Sequence, residues 1–158
     1  MTEHPNEQLI HRFYDAFGRL DSATMGACYA PQAHFSDPAF PDLTGPEVPG
    51  MWAMLCGRST GLRLEVTEVT ADDLSGSAHW VAHYAFGPQQ RPVVNDVRST
   101  FVFADGLILR QQDSFDFHAW AAQALGWKGR LLGWTPVVRS AARKQAASSL
   151  ADFLARTS

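Results

Sequence analysis

Residues 106–118 read Gly-Leu-Ile-Leu-Arg-Gln-Gln-Asp-Ser-Phe-Asp-Phe-His, an apolar stretch that carboxylates interrupt at Asp113 and Asp116. The stretch has the character of a β-strand, in which successive side chains alternate between two faces. The two acids are three positions apart, so they point to opposite faces. One acid can therefore line an interior cavity, while the other ends the strand or caps the element that follows.

Three further strand candidates precede this one, at residues 62–70, 77–86 and 93–103. Short turns rich in Gly, Pro and Asp separate them, and Asp105-Gly106 before the last strand (107–117) is the strongest hairpin signal in the chain. The four segments together predict an antiparallel meander.

The first part of the chain has helical periodicity instead. Apolar residues recur at i, i+3 and i+4 between Pro5 and Gly18, which predicts a first helix. A second helix is predicted from its N-cap Asp21, with Tyr29 on its inner face and Pro31 as its end.

Residues 33–37 then predict a short strand, and residues 38–45 a loop. A capping-box spacing at 44–47 predicts a third helix. After the meander, a short helix ending at Gly126 and a final helix opened by Thr135-Pro136 are expected. The inner stripe of the final helix is predicted to consist of Ala142, Ala146, Leu150 and Phe153.

Composition limits the possible functions. With 158 residues, of which 46% are hydrophobic, the chain can form one compact core. A net charge of −3 does not suggest nucleic-acid binding, and no run approaches the roughly 20 apolar residues of a membrane span. The N-terminus lacks signal-peptide features, and Cys28 and Cys56 are predicted to be buried thiols. A cytoplasmic protein without membrane or nucleic-acid partners is expected.

Several motifs in order resemble one known family. They are Phe-Tyr-Asp-Ala-Phe-Gly-Arg-Leu-Asp at 13–21, Cys-Tyr-Ala-Pro-Gln-Ala-His-Phe-Ser-Asp-Pro at 28–38, Thr44-Gly, and Phe-Ala-Asp-Gly-Leu-Ile at 103–108 followed by Asp-Ser-Phe-Asp at 113–116. The sequence resembles the nuclear transport factor 2-like superfamily, specifically its SnoaL-like polyketide cyclase and ketosteroid isomerase-related branch.

The resemblance implies an α+β fold, in which a curved antiparallel sheet wraps around three N-terminal helices to form a cone with an internal pocket. Residues 1–158 are then a single domain, with the cone at about 6–120 and a C-terminal helical extension at 121–158. The extension is expected to close one end of the cone or to pack on a partner subunit. The resemblance also implies a homodimer that pairs through the outer sheet face, and it requires no cofactor.

By position, Asp37 falls where ketosteroid isomerases place their general base, immediately before a proline. The rest of that site does not match. The family's oxyanion-hole tyrosine aligns with Phe13, which leaves Tyr14 about 100° further around the helix, and the protonated aspartate aligns with Ser99. We therefore do not expect steroid isomerisation of the ketosteroid isomerase type.

The same register directs Asp113 into the pocket together with its strand neighbours Gln111 and Phe115, and leaves Asp116 outside. It makes Asp37 and Asp113 the candidate catalytic residues. A mainly aromatic wall with few polar groups suits a flat, hydrophobic ligand. The candidate substrate-binding residues are Tyr14, Trp80, Tyr84, Asn95, Ser99 and Phe115.

Structural alternatives stand beside these roles. Asp113 can be a strand acid that bonds to a neighbour, and Asp37 can simply stabilise an Asp-Pro turn. His79 and His83 share one strand face but lie about 13 Å apart along it, too far to chelate one metal ion. The alignment sends them outward, and no metal site is expected.

Two functions remain open at this point. The first is a cofactor-independent enzyme that uses Asp37 and Asp113 for acid/base chemistry on a hydrophobic small molecule, as an isomerase, cyclase or hydrolase. The alternative is a non-catalytic ligand-binding or dimeric assembly module with the same fold, because one fold supports both.

Overall fold

A computed structural model describes residues 3–132 and 135–157. The helices are α1 (Pro5–Gly18), α2 (Ser22–Ala27), α3 (Glu47–Arg58), α4 (Phe117–Leu125), α5 (Trp127–Leu132) and α6 (Pro136–Thr157). The strands are β1 (Tyr29–Ser36), β2 (Leu43–Thr44), β3 (Arg63–Ala71), β4 (Ser75–Phe86), β5 (Arg91–Ala104) and β6 (Leu107–Ser114).

The six strands form one curved sheet in the order β2-β1-β6-β5-β4-β3. The predicted antiparallel meander from β3 to β6 is confirmed, and β5 and β6 meet at the Asp105-Gly106 turn. Both turn residues have positive φ, as a two-residue hairpin turn of this kind requires. In contrast, β1 runs parallel to β6, so the sheet is mixed rather than wholly antiparallel.

The inner face of the sheet packs on the three N-terminal helices, which confirms the α+β cone. Aromatic side chains dominate this interior. Phe13 of α1 lies 5.0 Å from the Tyr14 ring and 5.4 Å from the Trp52 ring of α3, with edge-to-face geometry. The Phe13 ring also lies 5.6 Å from the Tyr29 ring of β1, so aromatic contacts join the helices to the sheet around the side chains described below.

The prediction for residues 28–31 is wrong. Helix α2 ends at Ala27, and Tyr29 begins β1 instead of lying on a helix face. Pro31 lies inside β1, where the pairing with β6 is irregular between Tyr29 and His34. A proline favours extended backbone in the residue before it and lacks a backbone donor, so a strand irregularity accommodates it.

The end of β6 also differs from the prediction. The strand stops at Ser114, and Asp116 is the N-cap of α4, whose carboxylate accepts the Ala119 N–H at 3.1 Å. The sequence did not predict the following helix α5. The final helix α6 packs on α3, with Leu150 buried as expected and Ala142, Ala146 and Phe153 half-buried.

Residues 1, 2, 133, 134 and 158, which belong to the predicted 1–158 domain, lie outside the described part of the chain. Within the described part, no helix is both long enough and apolar enough to cross a membrane.

Candidate functional site

Asp113 lies on the inner face of β6, and its side chain is enclosed by the core, with only 4% of the residue exposed. It pairs directly with Ser99 of β5, and Gln111 precedes it on the same face. Ser99 and Gln111 are themselves buried, with 1% and 0% exposed. Asp113 therefore faces inward, as the register implied by the family resemblance predicts, and alternation alone predicted only that Asp113 and Asp116 point to opposite faces.

Ser99 connects three elements to this acid. Its hydroxyl donates to Asp113 Oδ1 at 2.6 Å and accepts hydrogen bonds from two donors. These donors are the Tyr14 hydroxyl of α1 and Trp80 Nε1 of β4, each at 2.8 Å from Ser99 Oγ. These three hydrogen bonds form a first branch of the network, and in each of them the hydrogen is donated in the direction of the Asp113 carboxyl group.

A second branch reaches the same oxygen from β1 and α3. Gln111 Nε2 donates to Asp113 Oδ1 at 3.0 Å. The Tyr29 hydroxyl donates to Gln111 Oε1, and Trp52 Nε1 donates to the Tyr29 oxygen at 2.8 Å. Two indole N–H groups, one at the end of each branch, thus orient the whole network.

Burial raises the pKa of Asp113 to about 7, because the apolar interior disfavours the charged form. The hydrogen bonds from Ser99 and Gln111 oppose this rise, and the negative charge of Asp37 adds to it. Close to neutral pH both protonation states of the acid are therefore populated, which suits a general acid or base.

The two carboxyl oxygens of Asp113 have different surroundings. Oδ1 accepts both hydrogen bonds, and Oδ2 receives none from the described residues. No buried side-chain nitrogen or oxygen in the described part of the chain lacks a hydrogen-bond partner. Because Oδ1 already accepts two hydrogen bonds, Oδ2 is the oxygen left to carry the acid proton.

Asp37 follows β1 at the level of Asp113. Phe35 and Ser36 pair with Gln111 and Gln112 on the parallel neighbour β6, so the next residues, Asp37 and Asp113, lie side by side. The Asp37 carboxyl accepts the N–H groups of Ala39 at 2.7 Å and Phe40 at 2.6 Å. Burial raises its pKa to about 6 despite these bonds.

The remaining predicted binding residues lie outside the hydrogen-bond network. The half-buried Tyr84 accepts a hydrogen bond from Trp120 Nε1 of α4 at 2.9 Å, and burial and the nearby Asp37 charge raise its pKa. Phe115 is half-buried just after β6 and packs on the core. Asn95 is half-buried, and no described residue hydrogen-bonds to its side chain.

The histidines face away from this site. His79 Nε2 lies 2.6 Å from Asp96 Oδ1, and His83 Nδ1 lies 3.2 Å from an Arg63 guanidinium nitrogen, both on the outer sheet face. Within the described residues, no three His, Cys, Asp or Glu side chains cluster closely enough to hold a metal ion.

Sequence reasoning missed part of the site. Tyr14 reaches Ser99 although the alignment gave the matching position to Phe13. Tyr29 was predicted to lie on a helix face, and Trp52 was not among the predicted site residues. The predicted inward direction of Gln111 was the only sequence signal for the second branch.

The sequence profile of the SnoaL-like domain family matches residues 10–111. This range begins within α1, includes α2, α3 and the sheet as far as Gln111, and stops two residues before Asp113. A search of curated protein sequences finds no significant match.

Solved structures share the fold at low sequence identity. An epoxide hydrolase of the LEH-like type from M. tuberculosis is 20% identical with a TM-score of 0.65, covering 84% of this chain and 96% of its own. A protein with a ketosteroid isomerase-like fold from Catenulispora acidiphila, in complex with trimethylamine, is 17% identical with a TM-score of 0.67, covering 81% and 97%. TerC crystallised with polyporic acid is 16% identical with a TM-score of 0.66, covering 77% and 99%.

Proposed function

We propose that this chain, which belongs to the SnoaL-like domain family, is a cofactor-independent enzyme that transfers protons on a hydrophobic small molecule bound inside the cone. The observation that carries the proposal is Asp113, a buried carboxyl group in an aromatic interior whose Oδ1 accepts two hydrogen bonds while Oδ2 receives none from the described residues. A purely structural acid in such a place would need partners on both oxygens to offset its burial.

The two acids suit complementary roles because their pKa values differ. Asp113, with a pKa of about 7, is the general acid, and its Oδ2–H protonates an oxygen of the substrate. Asp37, with a pKa of about 6, is mostly ionised at neutral pH and takes a proton from a substrate carbon or from water. One proton is given and one is taken in each cycle, which serves an isomerisation, a cyclisation or an epoxide hydrolysis.

The substrate class follows from the proposed wall. Trp80, Tyr84 and Phe115 offer aromatic surface, and the Asn95 amide, to which no described residue hydrogen-bonds, offers one polar anchor. A flat polycyclic or aromatic compound with a carbonyl or epoxide oxygen fits this combination. The likeness to an epoxide hydrolase and to a protein crystallised with polyporic acid is consistent with such a ligand.

Rapid steroid isomerisation remains unexpected. The Tyr14 proton is donated to Ser99, and the Ser99 proton is donated to Asp113. Neither hydroxyl is therefore free to stabilise a developing enolate, as an oxyanion hole must.

One observation favours the alternative of a non-catalytic binding module. The Asp37 carboxyl accepts two backbone N–H groups in a local turn, which is a sufficient structural reason for an aspartate before a proline. In that case the cone binds the same hydrophobic ligands without turning them over.

The test compares Asp113→Asn with Asp96→Asn, which removes a carboxylate from the outer face of the same sheet. Binding of polycyclic carbonyl compounds and aromatic epoxides is measured first by calorimetry, and turnover of the bound compounds is then followed by mass spectrometry. We expect Asp113→Asn to lower kcat about 100-fold or more and to change Kd less than about threefold. Asp96→Asn should change neither kcat nor Kd. If wild type binds such compounds but never converts them, the protein is a binding module and not an enzyme.

A homodimer through the outer face of the sheet is part of the same proposal. This face carries polar and charged side chains, including Glu68, His79, Asp96 and Arg98. Light scattering should give a dimeric mass, and Arg98→Glu should reduce it towards the monomer. A monomeric wild type would contradict the dimer and leave the catalytic proposal intact.

We also propose that the protein is located in the cytoplasm. Both described cysteines are free and buried, as expected in that compartment.

A further inference from the structure

The Gln111 side chain is fully buried between Asp113 and the Tyr29 hydroxyl. An amide has two different ends, since its oxygen only accepts hydrogen bonds and its nitrogen only donates. Which end faces Asp113 decides whether Gln111 favours the ionised or the protonated acid. An N–H favours the carboxylate, whereas a carbonyl oxygen requires a proton on the acid.

The orientation of the amide follows from a group that does not touch it. Trp52 Nε1 can only donate, and it donates to the Tyr29 oxygen at 2.8 Å. The single Tyr29 proton is therefore directed to Gln111, which must present Oε1 to accept it. The nitrogen end is consequently left to face Asp113 Oδ1, at 3.0 Å.

We propose that Trp52 and Tyr29 are positioning residues for the acid. They hold the Gln111 amide with its N–H towards Asp113 Oδ1, and so keep the acid proton on Oδ2, the oxygen to which no described residue donates. The importance of this arrangement for catalysis rests on the proposed function. The arrangement itself is a property of the free protein and can be measured without a substrate.

The groups around Asp113 leave few other means of stabilising its charge. Asp37 from the end of β1 adds a like charge, and Tyr14 and Tyr29 remain neutral because burial raises both pKa values well above the ordinary tyrosine value. No Lys, Arg or His in the described part of the chain forms an ion pair with Asp113. Neutral donors alone favour the carboxylate, so the loss of one is measurable.

The experiment is an NMR titration of the Asp113 carboxyl carbon in the ligand-free protein. Tyr29→Phe removes one oxygen and frees the Gln111 amide to turn its carbonyl towards the acid. Gln111→Leu removes the donor altogether. We expect each substitution to raise the pKa of Asp113 by about one unit, because a hydrogen bond to a charged group is worth about 1.5–3 kcal/mol.

Gln112→Leu is the matched control, because this neighbour is exposed and lies on the opposite face of the same strand. It should leave the Asp113 pKa unchanged within about 0.3 units. Circular dichroism and thermal unfolding identify any variant that fails to fold. Tyr29→Phe decides the inference, and Trp52→Phe, which removes the indole donor, takes its place if Tyr29→Phe does not fold.

Two results separate this inference from the proposed function. If Tyr29→Phe leaves the Asp113 pKa unchanged in folded protein, Trp52 and Tyr29 do not position the acid, and the inference is wrong. If wild-type Asp113 titrates like a free aspartate but Tyr29→Phe still raises its pKa, the inference holds, and the acid role in the proposed function fails.

Discussion

The inner and outer faces of the sheet each carry an aspartate with a hydrogen bond of 2.6 Å. On the inner face, Asp113 accepts this bond from Ser99, and on the outer face Asp96 Oδ1 lies at the same distance from His79 Nε2. The Asp113 residue is only 4% exposed, whereas the Asp96 side chain is 68% exposed. Equal bond lengths thus occur in opposite environments.

The difference shows that environment, not bond length, determines what a carboxylate can do. Water stabilises the charge of Asp96 regardless of its partner, so the pair contributes little. Asp113 has lost that water, and its protonation depends on a few neutral donors. Substitutions on the inner face should therefore have larger effects than matched substitutions on the outer face.

The largest effect should appear in the pH dependence of stability. The pKa of Asp113 is about 7 in the folded chain and about 4 when unfolded. The contribution of protonated Asp113 to the free energy of unfolding is fully present below about pH 4. It is lost as the pH rises to about 7, because Asp113 ionises at lower pH in the unfolded chain than in the folded chain. The loss is on the order of 4 kcal/mol. We expect Asp113→Asn to remove it, as measured by urea unfolding at pH 4.5 and pH 8.

Asp96→Asn provides the contrast. The difference in unfolding free energy between wild type and this variant should vary by less than about 0.5 kcal/mol over the same range. A constant difference between wild type and Asp113→Asn would mean that Asp113 titrates normally, and the contrast between the faces would then disappear.

The second prediction concerns neighbouring hydroxyls on opposite faces of β5. Ser99→Ala removes the acceptor of Tyr14 and Trp80 and one donor to Asp113, which leaves buried polar groups without partners. We expect a loss of about 2–4 kcal/mol in unfolding free energy, measured by urea denaturation. Thr100→Ala, on the exposed face, should cost less than about 0.5 kcal/mol. Equal effects would show that water replaces the missing serine hydroxyl.

The smallest effect is expected for the outer ion pair of Arg98 and Glu68, whose atoms lie 3.3 Å apart and whose side chains are about two-thirds exposed. A double-mutant cycle with Arg98→Ala and Glu68→Ala should give a coupling energy of about 0–1 kcal/mol that falls as salt is added. This value applies to the monomer, and a coupling comparable to the Ser99 effect at dimer-forming concentrations would indicate that the partner subunit of the proposed homodimer buries this face.

Much of the fold could be predicted because its signals are local. Alternation along β4 and β5, the Asp105-Gly106 turn and the capping residues each depend on neighbours within a few positions. Alternation likewise predicted that Asp113 and Asp116 point to opposite faces, and the family resemblance supplied the inward direction of Asp113. Tyr29 was misplaced because a helix pattern and a strand with an irregularity at Pro31 are difficult to distinguish over so few residues.

The candidate site was only half predictable. Asp37 and Asp113 were identified by residue type and position, but their adjacency requires the parallel pairing of β1 with β6, across about 75 residues of sequence. The Ser99 network likewise joins α1, β4, β5 and β6. Pairing between distant segments depends on the packing of the whole core and leaves no local pattern in the chain.

The sequence by itself therefore determined which face of each strand is buried, since side-chain alternation is a property of the extended backbone. Only the tertiary structure decided which buried groups meet. It set Trp52 against Tyr29 and Gln111 against Asp113, and it removed water from all of them. Desolvation and hydrogen bonds between distant elements determine the protonation of an acid, and both exist only after the chain has folded.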